Sequence, residues 1–172
     1  MKKPNFTHCS FLLALALLIS TATFAQEEKP KSPPATATGE INGATITIDY
    51  HAPSARGRVI WGDLVPFGEV WRAGANDATT FETDKDIQIE GETLPAGKYS
   101  FFIIPGETES VFIFNSVAKQ WGAYDYEESK DVLRVTIPSQ QTSTMEEQLV
   151  YEVVDDGFEV RWEYGKGKAH IE

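Results

Sequence analysis

The sequence predicts an all-β domain: a single antiparallel β-sandwich, or a flattened barrel, with one long irregular segment packed across it. Three observations carry that expectation. Short runs of alternating or fully apolar residues recur along the 172 residues, separated by Gly, Pro and Asp turn signals, the pattern of sandwiches and barrels. No stretch of useful length places apolar residues at helical spacing. Residues 56–80, RGRVIWGDLVPFGEVWRAGANDATT, are rich in tryptophan, arginine and glycine yet follow neither period. So apolar a segment cannot hang in water and has to lie across the strands that hold it.

The first 25 residues read as a signal peptide. Lys2 and Lys3 precede an apolar run, residues 11–19, too short to span a bilayer, and Thr23-Phe24-Ala25 offers small residues for cleavage after Ala25. Cys9, the single cysteine, lies ahead of the apolar run, where no lipid anchor would use it, and leaves with the leader. The exported chain is then without disulfide or thiol chemistry and depends on its core for stability. With no second apolar span it makes no stable membrane insertion, and the expected location is periplasmic or secreted. Residues 26–40, QEEKPKSPPATATGE, carry no large apolar side chain and are expected to form a disordered tether. Residues 41–172 form the single β domain.

Within it, Ile46, Ile48 and Tyr50 alternate with Thr45, Thr47 and Asp49, a half-buried strand that Pro53 ends. Strand character returns at residues 79–83 and 87–89, followed by turns at Glu90-Gly91 and at LPAG, residues 94–97. YSFFII, residues 99–104, and VFIF, residues 111–114, are apolar on both faces and joined by Pro105-Gly106, so they read as a central hairpin. Residues 119–130 interrupt the pattern. Leu133, Val135 and Ile137 mark another strand, and residues 139–147 read as a polar loop. Leu149, Tyr151 and Val153 then alternate, Asp156-Gly157 signals a tight turn, and Phe158, Val160, Trp162 and Tyr164 alternate with charged residues. Residues 169–171 form a weak last strand.

The runs WRAGAN and LPAGKYS, in that order, with RGRVIWGDLVPFGEV before them and QWGAYDY and DVLRV after, resemble a bacterial family catalogued as domain of unknown function 2911. The resemblance covers roughly residues 50–162. It implies an exported, β-rich protein and brings no activity with it. The tether falls outside it, and the ending with Lys166, Lys168 and His170 fits it poorly.

The formal charge is −11, and loss of Lys2 and Lys3 makes it more negative. Such a field repels phosphate backbones and anionic lipid, which argues against nucleic acid or a membrane surface as partner. The candidate binding residues lie in two places. Arg72 can fork onto a carboxylate or phosphate, with Trp71 and Asn76 beside it; Arg56 and Arg58 add to a local positive patch suited to a small anion. The competing reading pairs Arg72 with Asp63, Glu69 or Asp77 under the irregular segment. Trp121, Tyr124 and Tyr126 can stack on a sugar, with Gln120 and Asp125 binding its hydroxyls; the competing reading folds the loop back so that Trp121 plugs the barrel.

No catalytic signature, paired histidine spacing or calcium loop occurs, so no catalytic residue, metal or cofactor is expected. The expectation is a binding or interaction module of the bacterial envelope, taking a carbohydrate, a small anionic ligand or an envelope protein. The alternatives are a carbohydrate hydrolase built on Asp63, Glu69 or Asp77, and a purely structural protein.

Overall fold

The computed structural model describes residues 30–172; the expected signal peptide and residues 26–29 of the expected tether lie outside the described residues. The chain is nearly all β. Seven strands form one antiparallel sheet, in the order β1-β2-β3-β6-β7-β8-β9, that curls into a nearly closed barrel. These are β1 (Pro34–Ile41), β2 (Ala44–His51), β3 (Thr79–Thr83), β6 (Gly97–Ile104), β7 (Glu109–Asn115), β8 (Asp131–Val154) and β9 (Gly157–His170). A separate hairpin, β4 (Ile87–Ile89) with β5 (Glu92–Leu94), turns its Ile87, Ile89 and Leu94 inward.

The tether expectation is corrected from Pro34 onward, because β1 pairs with β2 along its whole length. Its inward positions, Ala35, Ala37, Gly39 and Ile41, alternate with exposed Thr36, Thr38 and Glu40. The missing side chain at Gly39 is what lets the strand approach β8: a Cβ there would lie 2.7 Å from the Val153 side chain. Asn42 and Gly43, both at positive φ, make the two-residue turn into β2.

The polar loop expected at 139–147 is also corrected. Those residues continue β8, which leaves β7 after Pro138 and pairs with β9 instead. The β8–β9 hairpin is irregular between Gln141 and Val150, and Glu163 there has a φ of 54°. Past this point β9 turns back on itself. Ile171 N–H donates to Asp156 O at 3.0 Å and Lys166 Nζ lies 2.6 Å from Glu159. Ile171 also bridges to Ile89, so the end of the chain holds the β4–β5 hairpin in place.

The core is a cluster of phenylalanines from four strands. Phe101 lies 5.2 Å from both Phe112 and Phe114 and 5.6 Å from Phe158; Phe81 lies 5.0 Å from Phe114. These edge and tilted contacts suit the ring quadrupoles, and truncating any one ring to Ala costs about 3–5 kcal/mol.

The irregular segment crosses the barrel as expected. Ser54 bridges to Gln148, and Trp71 exchanges backbone hydrogen bonds with Ile103 at 2.8 and 2.9 Å, extending the sheet where β3 has ended. Trp71 stacks on Trp162 at 5.9 Å, and Trp61 meets both rings edge-on. Trp61 Nε1–H donates to Trp162 O at 3.0 Å.

Candidate functional site

The segment carrying WRAGAN and the loop carrying QWGAYDY come together. Asp77 bridges to Trp121, Ala78 N–H donates to Gln120 O at 3.0 Å, and Gly122 N–H donates to Asn76 O at 3.2 Å. Each partner is locally prepared for this seam. Asn76 sits at a φ of 60°, a left-handed turn that Asn tolerates, and Gly122 at 66° makes the tight turn of the loop. Beneath the loop, Phe102 and Ile113 form a small apolar cluster on the outer face of the sheet, and Tyr126 packs on Phe102 at 5.1 Å. The Tyr126 hydroxyl donates to Asp131 Oδ2 at 2.5 Å. Burial first, and then this bond to a carboxylate, push its pKa above the usual tyrosine value. Tyr126 therefore anchors the loop rather than facing solvent.

Trp121 and Tyr124 do face solvent, at 60% and 80% exposure, so Trp121 does not plug the barrel. Gln120, between them and the sheet, is only 7% exposed. Its Nε2 has three acceptors, Ser100 Oγ, Asn115 Oδ1 and Val117 O, at 3.0–3.1 Å for its two hydrogens. Asn115 in turn donates from Nδ2 to Glu127 O and Asp131 Oδ1. This chain fixes which way both amides point, because a flipped Gln120 would set its oxygen against the Asn115 and Val117 oxygens. It leaves Gln120 Oε1 inaccessible to solvent and without a partner among the described residues. Thr80 Oγ1 is in the same condition. Both residues line one groove of about 460 Å³, with Tyr50, His51, Asp77 and Lys98 around it. Buried polar atoms are nearly always hydrogen-bonded, so two unpaired oxygens just behind the lining of one groove stand out.

Arg72 does not make the ion pair of the competing reading. It is half-buried and makes no ion pair with Asp63, Glu69 or Asp77; its Nε is inaccessible and has no acceptor among the described residues. Its Nη1 lies under the loop, 3.4 Å from where a Gly122 Cβ would be. Arg56 and Arg58 are exposed and serve the backbone: Arg56 Nη2 donates to Lys31 O, and Arg58 donates from Nε to Ala55 O and from Nη2 to Ser54 O. Trp71 belongs to the tryptophan cluster against the core, away from the seam loop. Of the three carboxylates considered for hydrolysis, Asp77 lines the groove; Asp63 and Glu69 do not. No group of three or more His, Cys, Asp or Glu residues is placed to hold a metal among the described residues.

Thr80 was missed from the sequence, since an outward threonine in a strand is ordinary. Gln120 was singled out for its place beside Trp121, but as an exposed residue. No curated protein and no solved structure matches the chain significantly. The family model described as Protein of unknown function (DUF2911) matches residues 32–171. That match takes in both β1 and the Lys166–His170 ending, which the motifs alone had left outside, and it establishes that the chain belongs to this family.

Proposed function

We propose that the chain is an exported binding module for a hydroxyl-rich ligand of saccharide type, held at the seam between residues 72–78 and 116–126. The observation that carries this reading is the pair of partnerless buried oxygens, Gln120 Oε1 and Thr80 Oγ1, in one groove. Sugar hydroxyls donate and accept, so a ring that presses into the groove and parts its lining can supply the hydrogen to Gln120 and exchange bonds with Thr80. Exposed Trp121 and Tyr124 on the adjoining loop offer apolar faces for a longer chain of sugar units. Export is supported by the leader pattern at Lys2, Lys3 and residues 11–25.

The test is a thermal melt against a panel of oligosaccharides and cell-wall fragments, with Thr80→Val beside the parent. Removing a buried hydroxyl that has no partner is neutral or stabilising in the unliganded protein. A ligand at a hundred times its Kd adds about 2.7 kcal/mol to the parent. The expected result is a clear rise for one saccharide class that Thr80→Val abolishes without lowering the unliganded midpoint. A flat panel overturns the reading.

A second reading rests on Arg72. A guanidinium whose buried Nε has no acceptor among the described residues is suited to a small anion that reaches its outer nitrogens. Phosphate and carboxylates in the same panel test it. A rise that Arg72→Lys removes supports an anion at the seam, because lysine keeps the charge but loses the fork.

A further inference from the structure

The turn between β6 and β7, the bend of the β8–β9 hairpin and Phe67 of the crossing segment surround a second cavity, at the mouth of the barrel. Its volume is about 770 Å³. The floor is apolar, made by Ile103, Phe112 and Val160. Trp61 forms a wall, with Phe67 and Tyr164 beside it at 39% and 49% exposure. A concave site with an apolar floor, an aromatic wall and a polar rim is a usual form of a small-molecule site, and barrel mouths are a usual place for one.

The charges at the mouth are not balanced. Lys166 is spoken for by Glu159, at 2.6 Å. Glu163 and Glu107 also line the cavity and make no ion pair among the described residues. Glu163 is held at a φ of 54° in the irregular part of the hairpin, a conformation costly for any residue with a Cβ. Bulged strands re-aim side chains in this way beside binding sites. The opposite residue in register is Glu146, a like charge, whose carboxylate is drawn off towards Arg161 at 3.5 Å. Neither local conformation nor cross-strand pairing favours a glutamate here.

We infer that the barrel mouth binds a small organic cation, its apolar body against Trp61, Phe67 and Tyr164 and its ammonium group at Glu163. Aromatic faces attract cations through their quadrupole, and an unpaired carboxylate at the rim adds a direct partner. The net charge of −11 draws such a ligand in. This site is separate from the seam groove and stands on different residues.

The test is a titration of the purified protein with benzyltrimethylammonium, read by tryptophan fluorescence, with benzyl alcohol and benzoate as neutral and anionic counterparts. Trp61 reports directly, since it lines the cavity and contacts Trp71 and Trp162. Expected are saturable binding of the cation, much weaker binding of the other two, and a loss of about tenfold in affinity in Glu163→Gln. Glu163→Gly tests the strain separately: it relieves the left-handed position, so the unliganded midpoint rises while cation affinity falls. The inference is overturned if benzyl alcohol or benzoate binds as well as the cation, if no probe binds, if Glu163→Gln binds unchanged, or if Glu163→Gly melts lower than the parent. None of these outcomes bears on the seam groove.

Discussion

The hydroxyl of Tyr151 donates to the carbonyl oxygen of Ala73 at 2.8 Å, tying β8 to the crossing segment just before the seam. The same carbonyl accepts from the Thr79 hydroxyl at 2.9 Å. Ala73 is buried with a φ of 54°, and these two hydroxyls hold it there. Tyr151→Phe removes one donor and leaves the other, so it costs about 1 kcal/mol. For a domain of this size that lowers the melting midpoint by roughly 2–4 °C. Thr79→Val added to it leaves the carbonyl unpaired, and the double variant loses more than the two singles together. Thermal melts of the three variants check this, and additive losses would show that the carbonyl finds another donor.

Tyr151 also shapes behaviour in alkali. Complete burial, and then the neighbouring Tyr50, raise its pKa well above the usual value. Burial and the bond to Asp131 raise that of Tyr126. The folded protein thus holds these protons more tightly than the unfolded chain. Their contribution is full below the ordinary tyrosine pKa of about 10 and is lost progressively as pH rises towards the folded values. Stability should fall steeply above pH 10. In a spectrophotometric titration part of the tyrosinate signal should appear only with unfolding. Tyr126→Phe should make the alkaline limb shallower, and an unchanged limb would show that Tyr126 does not couple to folding.

Much of the barrel is visible in hydropathy alone. Ile46 and Ile48, the YSFFII and VFIF runs and Phe158 to Trp162 all turn their large side chains where alternation or double-sided apolarity places them. β1 is hidden because three of its four inward residues are Ala35, Ala37 and Gly39, which carry almost no hydropathy, and Gly39 is required by the close approach to Val153. The sharper signal was Asn42-Gly43, a hairpin turn that implies a strand on each side. Residues 139–147 are hidden for another reason. They lie where the β8–β9 hairpin bends, exposed for the most part, so nothing in their polarity separates strand from loop. At the seam, the two segments are each conspicuous for aromatics, arginine and glycine. Their meeting depends on backbone bonds of Asp77, Ala78 and Gly122 that no side-chain pattern encodes. The mouth cavity is further out of reach, since it exists only because β9 turns back at Glu163.

That return of β9 rests on a close contact. A Cβ at Gly157 would come within 1.9 Å of Ala169 O and 3.0 Å of His170 Cα, all backbone atoms with little freedom to move. Gly157→Ala must therefore push the final residues away from Asp156 and loosen the Ile171–Ile89 bridge that seats the β4–β5 hairpin. The expected loss is about 3 kcal/mol or more, at the upper end for overpacking. Gly91→Ala is the comparison: its site is open, so only the cost of a left-handed alanine applies, about 1–2 kcal/mol. Denaturant melts rank the two, and equal losses would mean that the end of β9 yields easily.

Glu159 joins the two arms of the same returning strand. Lys166 lies 2.6 Å from one carboxylate oxygen and Arg161 2.9 Å from the other. Burial works to raise its pKa, but these two cations outweigh burial and hold it below the usual glutamate value. A lowered carboxylate stabilises the folded state above the ordinary pKa, and that stability is lost as pH falls through the folded value. Glu159→Gln should cost roughly 1–2 kcal/mol at neutral pH, the worth of hydrogen bonds to a charged group. It should also flatten the acid limb of the stability curve below about pH 4.5. Arg161 keeps Glu152 at 2.8 Å and Glu146 at 3.5 Å, so the variant should fold, and the loss should centre on Lys166. If Lys166→Met lowers the neutral midpoint as much as Glu159→Gln, and the double variant no further, the pair acts as one unit. Full additivity would show that the two side chains stabilise the barrel independently, through their packing against it rather than through each other.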